Sequence, residues 1–184
     1  YSSAASDVYK RQHLYLQKKE GEIIDLTPGE NEKSSFYKWS KDNSILYYLS
    51  NKRDSRYFDL LKMSVNDWKS NVVYENKNNM SISSISGNEK FLLLSESITT
   101  SENKFFLLEL SSGKITEIST APASYSSAGF SIDNKSFFYI TDAGKEFSYL
   151  MEYNIESEVS SVLYETNWDV MYSYLSKGEK YRVI

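Results

Sequence analysis

Residues 129–133 read Gly-Phe-Ser-Ile-Asp, the first half of a G-x-S-x-G elbow, the sharp turn that exposes a nucleophilic serine. The last position is Asp133 where the elbow needs glycine, and a strand-like run follows where a helix should. A serine triad also needs a base and an orienting acid. His13 is the sole histidine, and it borders an N-terminal stretch without pattern. Ser131 is therefore read as a turn residue, and no catalytic residue is assigned.

Metal chemistry finds no better footing. Asp133, Asn134 and Asp142 are scattered turn residues without calcium-loop spacing. The chain has no cysteine, which excludes disulfides and thiolate metal sites. No glycine-rich phosphate loop occurs, so neither a metal nor a cofactor is expected. Three charges stand on expected hairpins: Arg53 and Arg56, on one tip with Asp54, and Glu146, on a second. By themselves they read as solvated hairpin charges. Asp59 lies on an expected third strand and is read as structural, bonding backbone between strands. The glycosylation sequons at Asn79 and Asn134 are near chance in a chain so rich in Asn and Ser.

The elements that must carry these residues recur. Polar turns begin at Ser40, Ser86, Ser131 and Ser176, spaced 45 or 46 residues apart. Each follows a short segment ("SSFYKW", "SISSI", "YSSAGF", "DVMYSYL") and precedes an apolar run, as in Phe137-Phe138-Tyr139-Ile140. A third and a fourth segment complete each full unit, as in "FFLLEL" and "KITEI". Asp, Asn and Gly tolerate left-handed backbone, and Asx side chains bond back to their own main chain, so the turns read as hairpins. Four short strands repeating every ~40–50 residues read as a propeller blade. The runs are apolar on both faces, as befits a strand between neighbouring blades. The expected fold is all-β: a partial β-propeller of four-stranded antiparallel blades, repeating about every 45 residues. The expected division is a leader over 1–12, non-native or disordered, then a partial blade at about 13–27. Full blades follow at 34–76, 80–119 and 124–166, and a further partial one at 168–184. The chain begins without Met and stops inside an apolar run, and is read as part of a longer protein.

Composition agrees with a folded β domain. Sixteen Tyr, nine Phe and three Trp supply large apolar side chains that favour strands. The net charge of −4 lacks the clustered basic face that nucleic acid requires. No apolar stretch approaches the ~20 residues of a membrane span. WD repeats would need a Gly-His and a Trp-Asp closing the third strand, but Trp168-Asp169 occurs once and follows a fourth strand. Kelch repeats want paired glycines, and none occur.

Phe130-Ser131-Ile132-Asp133-Asn134-Lys135 and Trp39-Ser40-Lys41-Asp42-Asn43 resemble the F-S-P-D-G-K phrase of TolB-type repeats. Leu107-Leu108-Glu109-Leu110-Ser111-Ser112-Gly113 resembles the second half of that repeat. Longer stretches, "YLSNKRDSRYFDLLKM" and residues 124–170, resemble propellers of the prolyl oligopeptidase family of serine peptidases. The particular features are the D-x-G-x-E-F-x-x-L hairpin at 142–150 and the Trp168-Asp169-Val170 step. That resemblance implies a non-catalytic propeller gating short peptides towards a C-terminal α/β-hydrolase domain outside this chain. It implies no cofactor, and it makes the hairpin charges Arg53 and Arg56 candidates to face a substrate and Glu146 a candidate contact to a substrate amine. A periplasmic or secreted location is favoured over a cytoplasmic one. The alternative is a TolB-like periplasmic propeller that docks partner proteins. A sugar-processing propeller would need clustered carboxylates on the first strands, which hold none.

A propeller opened at both ends exposes blade faces and strand edges. The chain alone is expected to be poorly soluble or partly molten. A sharp, cooperative thermal melt from a monomer would refute this.

Overall fold

The structure, a computed structural model, describes residues 12–176 and 180–184. Residues 1–11 of the leader expected over 1–12, and Lys177, Gly178 and Glu179 of the fourth polar turn, lie outside the described residues. Among the described residues every regular element is a strand. Two compact units, Tyr1–Asn79 and Met80–Ile184, are described in turn.

The first unit begins with the antiparallel pair β1 (Tyr15–Gln17) and β2 (Ile23–Asp25). A four-stranded sheet follows: β3 (Ser34–Trp39), β4 (Ile45–Asp54), β5 (Tyr57–Ser64) and β6 (Ser70–Tyr74), paired in chain order. The second unit repeats the plan. One sheet holds β7 (Ser81–Ile85), β8 (Phe91–Ser97), β9 (Asn103–Glu109) and β10 (Ile115–Glu117). The next holds β11 (Tyr125–Phe130), β12 (Ser136–Thr141), β13 (Tyr149–Asn154) and β14 (Val159–Tyr164). The pair β15 (Tyr174–Leu175) and β16 (Arg182–Val183) ends it. Among the described residues the strands pair antiparallel with their sequence neighbours, as short polar turns allow, and one isolated parallel bridge joins Gln12 to Lys33.

The turns after β3, β7 and β11 share one hydrogen-bond scheme. The Ser40 hydroxyl donates to Asp42 Oδ1 at 2.6 Å and accepts the Ile45 N–H at 2.9 Å. Ser86 donates to Asn88 at 2.8 Å and accepts the Phe91 N–H at 2.9 Å. Ser131 donates to Asp133 at 2.7 Å and accepts the Ser136 N–H at 3.0 Å. In the fourth turn the Tyr181 N–H bonds Ser176 Oγ at 3.2 Å. The residue after each Asx is left-handed: Asn43, Glu89 and Asn134 have φ of 58°, 55° and 58°. Asn tolerates this region; Glu89 adopts it at a steric cost of ~1–2 kcal/mol.

The strands after these turns are the most buried. All six residues of β12 are buried, and Leu92, Leu93 and Leu94 of β8 are fully so. In the second unit Leu93, Phe105 and Leu107 of one sheet pack with Tyr125, Phe137, Tyr139 and Tyr153 of the next. Phe137 and Tyr153 stack with centroids 4.9 Å apart. Several buried tyrosines keep a polar partner, which offsets the cost of burying the hydroxyl. Tyr139 donates to Ser160 Oγ at 2.9 Å, and Tyr48, its counterpart in the first unit, donates to Ser70 Oγ at 2.8 Å. Asn103 links the two full sheets of the second unit. Its side chain accepts the Tyr125 N–H at 2.8 Å and donates to the Tyr125 carbonyl at 3.0 Å.

Two measurements test the turn scheme. Ser86 is 2 % exposed, and Ser86→Ala strands the Phe91 N–H. The expected loss is ~1–3 kcal/mol in chemical denaturation, whereas Ser101→Ala, on an exposed loop, should change little. The second concerns acid. Hydrogen bonds from Ser40 and Ser44 push the Asp42 carboxyl down to about 2. Ser131 and the Lys135 N–H lower Asp133. The unfolded chain then binds protons that these native carboxylates refuse. Their stabilisation is present above about pH 4 and lost as pH falls towards 2. Asp42→Asn with Asp133→Asn keeps the acceptor oxygens, as Asn88 does natively, and should flatten that part of the melting-temperature profile.

Candidate functional site

Ser131 lies in its turn with its hydroxyl bonded to Asp133, two residues away. Its role is local geometry, as the sequence reading held. His13 has a partner that the sequence did not reveal. The β1–β2 register sets Tyr15 opposite Asp25, and His13 Nδ1 lies 2.7 Å from Asp25 Oδ2. The other ring nitrogen is buried and has no hydrogen-bond partner among the described residues. This is a base held by an acid with no nucleophile bonded to it. Among the described residues, no group of three or more His, Asp or Glu is placed to hold a metal ion.

The charged tip around Arg53 divides into two arrangements. The pairing of β4 with β5 shifts register between Ser50 and Asp54, a bulge on β4. Arg53, inside it, bonds Asp59 through both carboxylate oxygens, at 2.7 and 2.8 Å. The same guanidinium donates to the Asn76 carbonyl at 2.8 Å. Asp59 is 2 % exposed and also accepts the Asn76 N–H at 2.8 Å. The hydrogen bond to Asp59 raises the Arg53 pKa further, so the group stays charged. Planar, two-point pairing is the strong form of this contact. Removing either partner would leave charge and backbone unsatisfied. Asp59 thus ties the end of one sheet to the chain that leaves it. The solvated-tip reading does not hold for Arg53, because the bulge turns it onto a carboxylate six residues away.

Arg56 keeps the exposed position. It bonds Asp54 at 2.7 Å with a 72 % exposed side chain, and its guanidinium lies 5.1 Å from the Tyr57 ring centroid. Arg56 holds the Asp54 carboxyl down at about 2. The pairing is two-point, Nε to Oδ1 at 3.0 Å and Nη2 to Oδ2 at 2.7 Å, but it lies in solvent, where such pairs contribute little to stability.

Glu146 belongs to the second unit and is exposed in the turn between β12 and β13. With Glu102, Asp142 and Lys145 it lines an open hollow of about 540 Å³. Lys145 is paired with Glu165 and lies 4.3 Å from the Tyr149 ring centroid. Its charge is therefore offset, and the hollow is net acidic. The structure places Arg53 with Asp59 and Arg56 with Asp54; Glu146 keeps separate company.

The motif residues around this hollow hold the hairpin to the next segment. Asp142 accepts the Ser124 N–H at 2.9 Å, and its carbonyl accepts the Lys145 N–H at 3.0 Å. The Tyr149 hydroxyl donates to the Ala143 carbonyl at 2.9 Å. Asp169 accepts the Ser148 N–H at 2.9 Å, and the Val170 N–H bonds the Ser148 carbonyl at 2.9 Å. Val170 is buried against Phe138, Ile140 and Leu150, while Trp168 is 76 % exposed.

No family model matches the sequence, and no curated protein matches it either. Solved structures do resemble it. TolB from Acinetobacter baumannii matches with a TM-score of 0.64 at 14 % identity, over 91 % of this chain and 41 % of that one. A structure from a study of two prolyl endopeptidases matches at 0.56 and 12 %, over 82 % of this chain and 22 % of that one. Dipeptidyl peptidase 4 of Porphyromonas gingivalis matches at 0.54 and 14 %, over 89 % and 31 %. The chain spans about two fifths of the TolB it matches, and less of the peptidases. At these identities the likeness is one of fold: the chain is a partial β-propeller built of four-stranded blades.

Proposed function

We propose that this chain is the non-catalytic, substrate-gating propeller portion of a serine peptidase that hydrolyses short peptides. The α/β-hydrolase domain that carries the chemistry would lie outside the present sequence. The observation that carries this reading is the lock between the 142–150 hairpin and Trp168-Asp169-Val170. These are the stretches that resemble peptidase propellers in sequence, and Ser148 bonds both Asp169 and Val170. The fold shared with prolyl endopeptidase and dipeptidyl peptidase structures supports it. In this role the propeller excludes folded proteins from the catalytic domain and helps to hold the peptide terminus. Glu146, in its acidic hollow, is the group suited to a peptide amine. Arg56 is suited to a carboxylate. The Arg53 donors are committed to Asp59 and Asn76, which leaves it a supporting part. Export to the periplasm or beyond is the location that fits this reading.

A second reading has its own observation. The likeness to TolB, at 0.64, exceeds the 0.56 and 0.54 of the peptidases, which favours a TolB-like propeller that docks partner proteins. Reading the coding sequence beyond Ile184 separates the two. Alternating strands and helices with a G-x-S-x-G, then Asp and His, are expected. A stop codon without that pattern sinks the peptidase reading. In the full-length enzyme, Glu146→Gln should raise KM roughly tenfold for peptides with a free amino terminus, the scale of one charge-assisted hydrogen bond. Amino-terminally acetylated peptides should show no such change.

A further inference from the structure

Four fourth strands are described, and their outer edges are not alike. β2 ends in Asp25, β10 has three residues and ends in Glu117, and the last two residues of β6 are half-buried. β14 reads Val-Ser-Ser-Val-Leu-Tyr: six residues, all exposed, none charged. Charges, prolines and shortness are the usual guards of a free edge, and β14 has none of them. One bulge, near Leu163, is its only irregularity.

The backbone direction of this edge follows from the pairing. The Ile155 N–H bonds the Lys135 carbonyl, so odd-numbered residues of β13 bond towards β12. Asn154 and Glu152 then bond towards β14, facing Val159 and Ser161. By alternation Ser160 and Val162 direct their N–H and C=O groups away from the sheet. The Ser160 side chain is already bonded by the Tyr139 hydroxyl, so its backbone is what it offers outward.

We propose that this edge pairs antiparallel with the same strand of a second copy of the chain, about a two-fold axis at Ser161. That register sets Ser160 opposite Val162 of the other copy, twice, which forms four backbone hydrogen bonds. An isologous contact requires this self-complementarity. The charges that flank the strand are compatible with the pairing. Glu158 is paired with Lys114 at 2.7 Å, and Glu165 with Lys145, so the two-fold brings no unbalanced carboxylates together.

The test is sedimentation of the full-length protein that carries this propeller, across a concentration series. The weight-average mass should rise from that of the monomer towards twice that value. Val162→Pro removes an outward N–H and no bond to β13, a position where an edge strand accepts proline, and should return the mass to that of the monomer at the same concentration. Val162→Lys, which keeps the N–H and adds a guarding charge, should do the same with an unchanged circular dichroism spectrum. Val72→Lys, on the edge strand β6 where Val72 is 53 % exposed, should leave association intact. A mass that stays monomeric at every concentration overturns the proposal, as do Val162 variants that associate like the parent.

Discussion

One hydroxyl, used three times in the same way, sets up each full sheet. The serine that closes a first strand donates a hydrogen bond to the Asx two residues on and accepts one from the N–H that opens the second strand. It satisfies a backbone donor at the point where the chain must enter the core. The strand that follows can therefore be apolar on both faces, as β12 is. Without that anchor the hairpin register could slip, and a one-residue slip would send every buried side chain to the wrong face.

Much of this was legible. Serine followed by Asx at a fixed spacing before an apolar run carries its own mechanism, and the repeat of that phrase named the blade. Glu89 was less so, since nothing about glutamate announces a left-handed residue; its place in the repeat does. The role of Asp59 as a backbone-bonding carboxylate could be read from its strand. Its partner Arg53 could not, because the contact depends on a bulge in β4 that the spacing of polar residues does not signal. The His13–Asp25 pair was hidden for a similar reason. It requires the cross-strand register of two three-residue strands, which carry too little pattern to fix one.

The candidate site is legible in proportion to how local its chemistry is. Arg56 and Glu146 stand on hairpin turns, where side chains are exposed by construction. The acidic surroundings of Glu146 come from Glu102 and Asp142, brought beside it from the hairpin of the preceding sheet and from its own. Only the fold assembles that charge.

Asn103 has a consequence for how the second unit comes apart. Its side-chain amide imitates a peptide group, giving and taking one hydrogen bond with the backbone of Tyr125. It is one extra rung between two ladders whose side chains already share a core. Sheets made only of sequence neighbours have short contact loops and could each open and close alone. With the rung in place, opening β11 costs the sheet before it a hydrogen-bonded pair as well as packing. Asn103 thus reinforces the coupling of these two blades, so a disturbance in one is felt in the other.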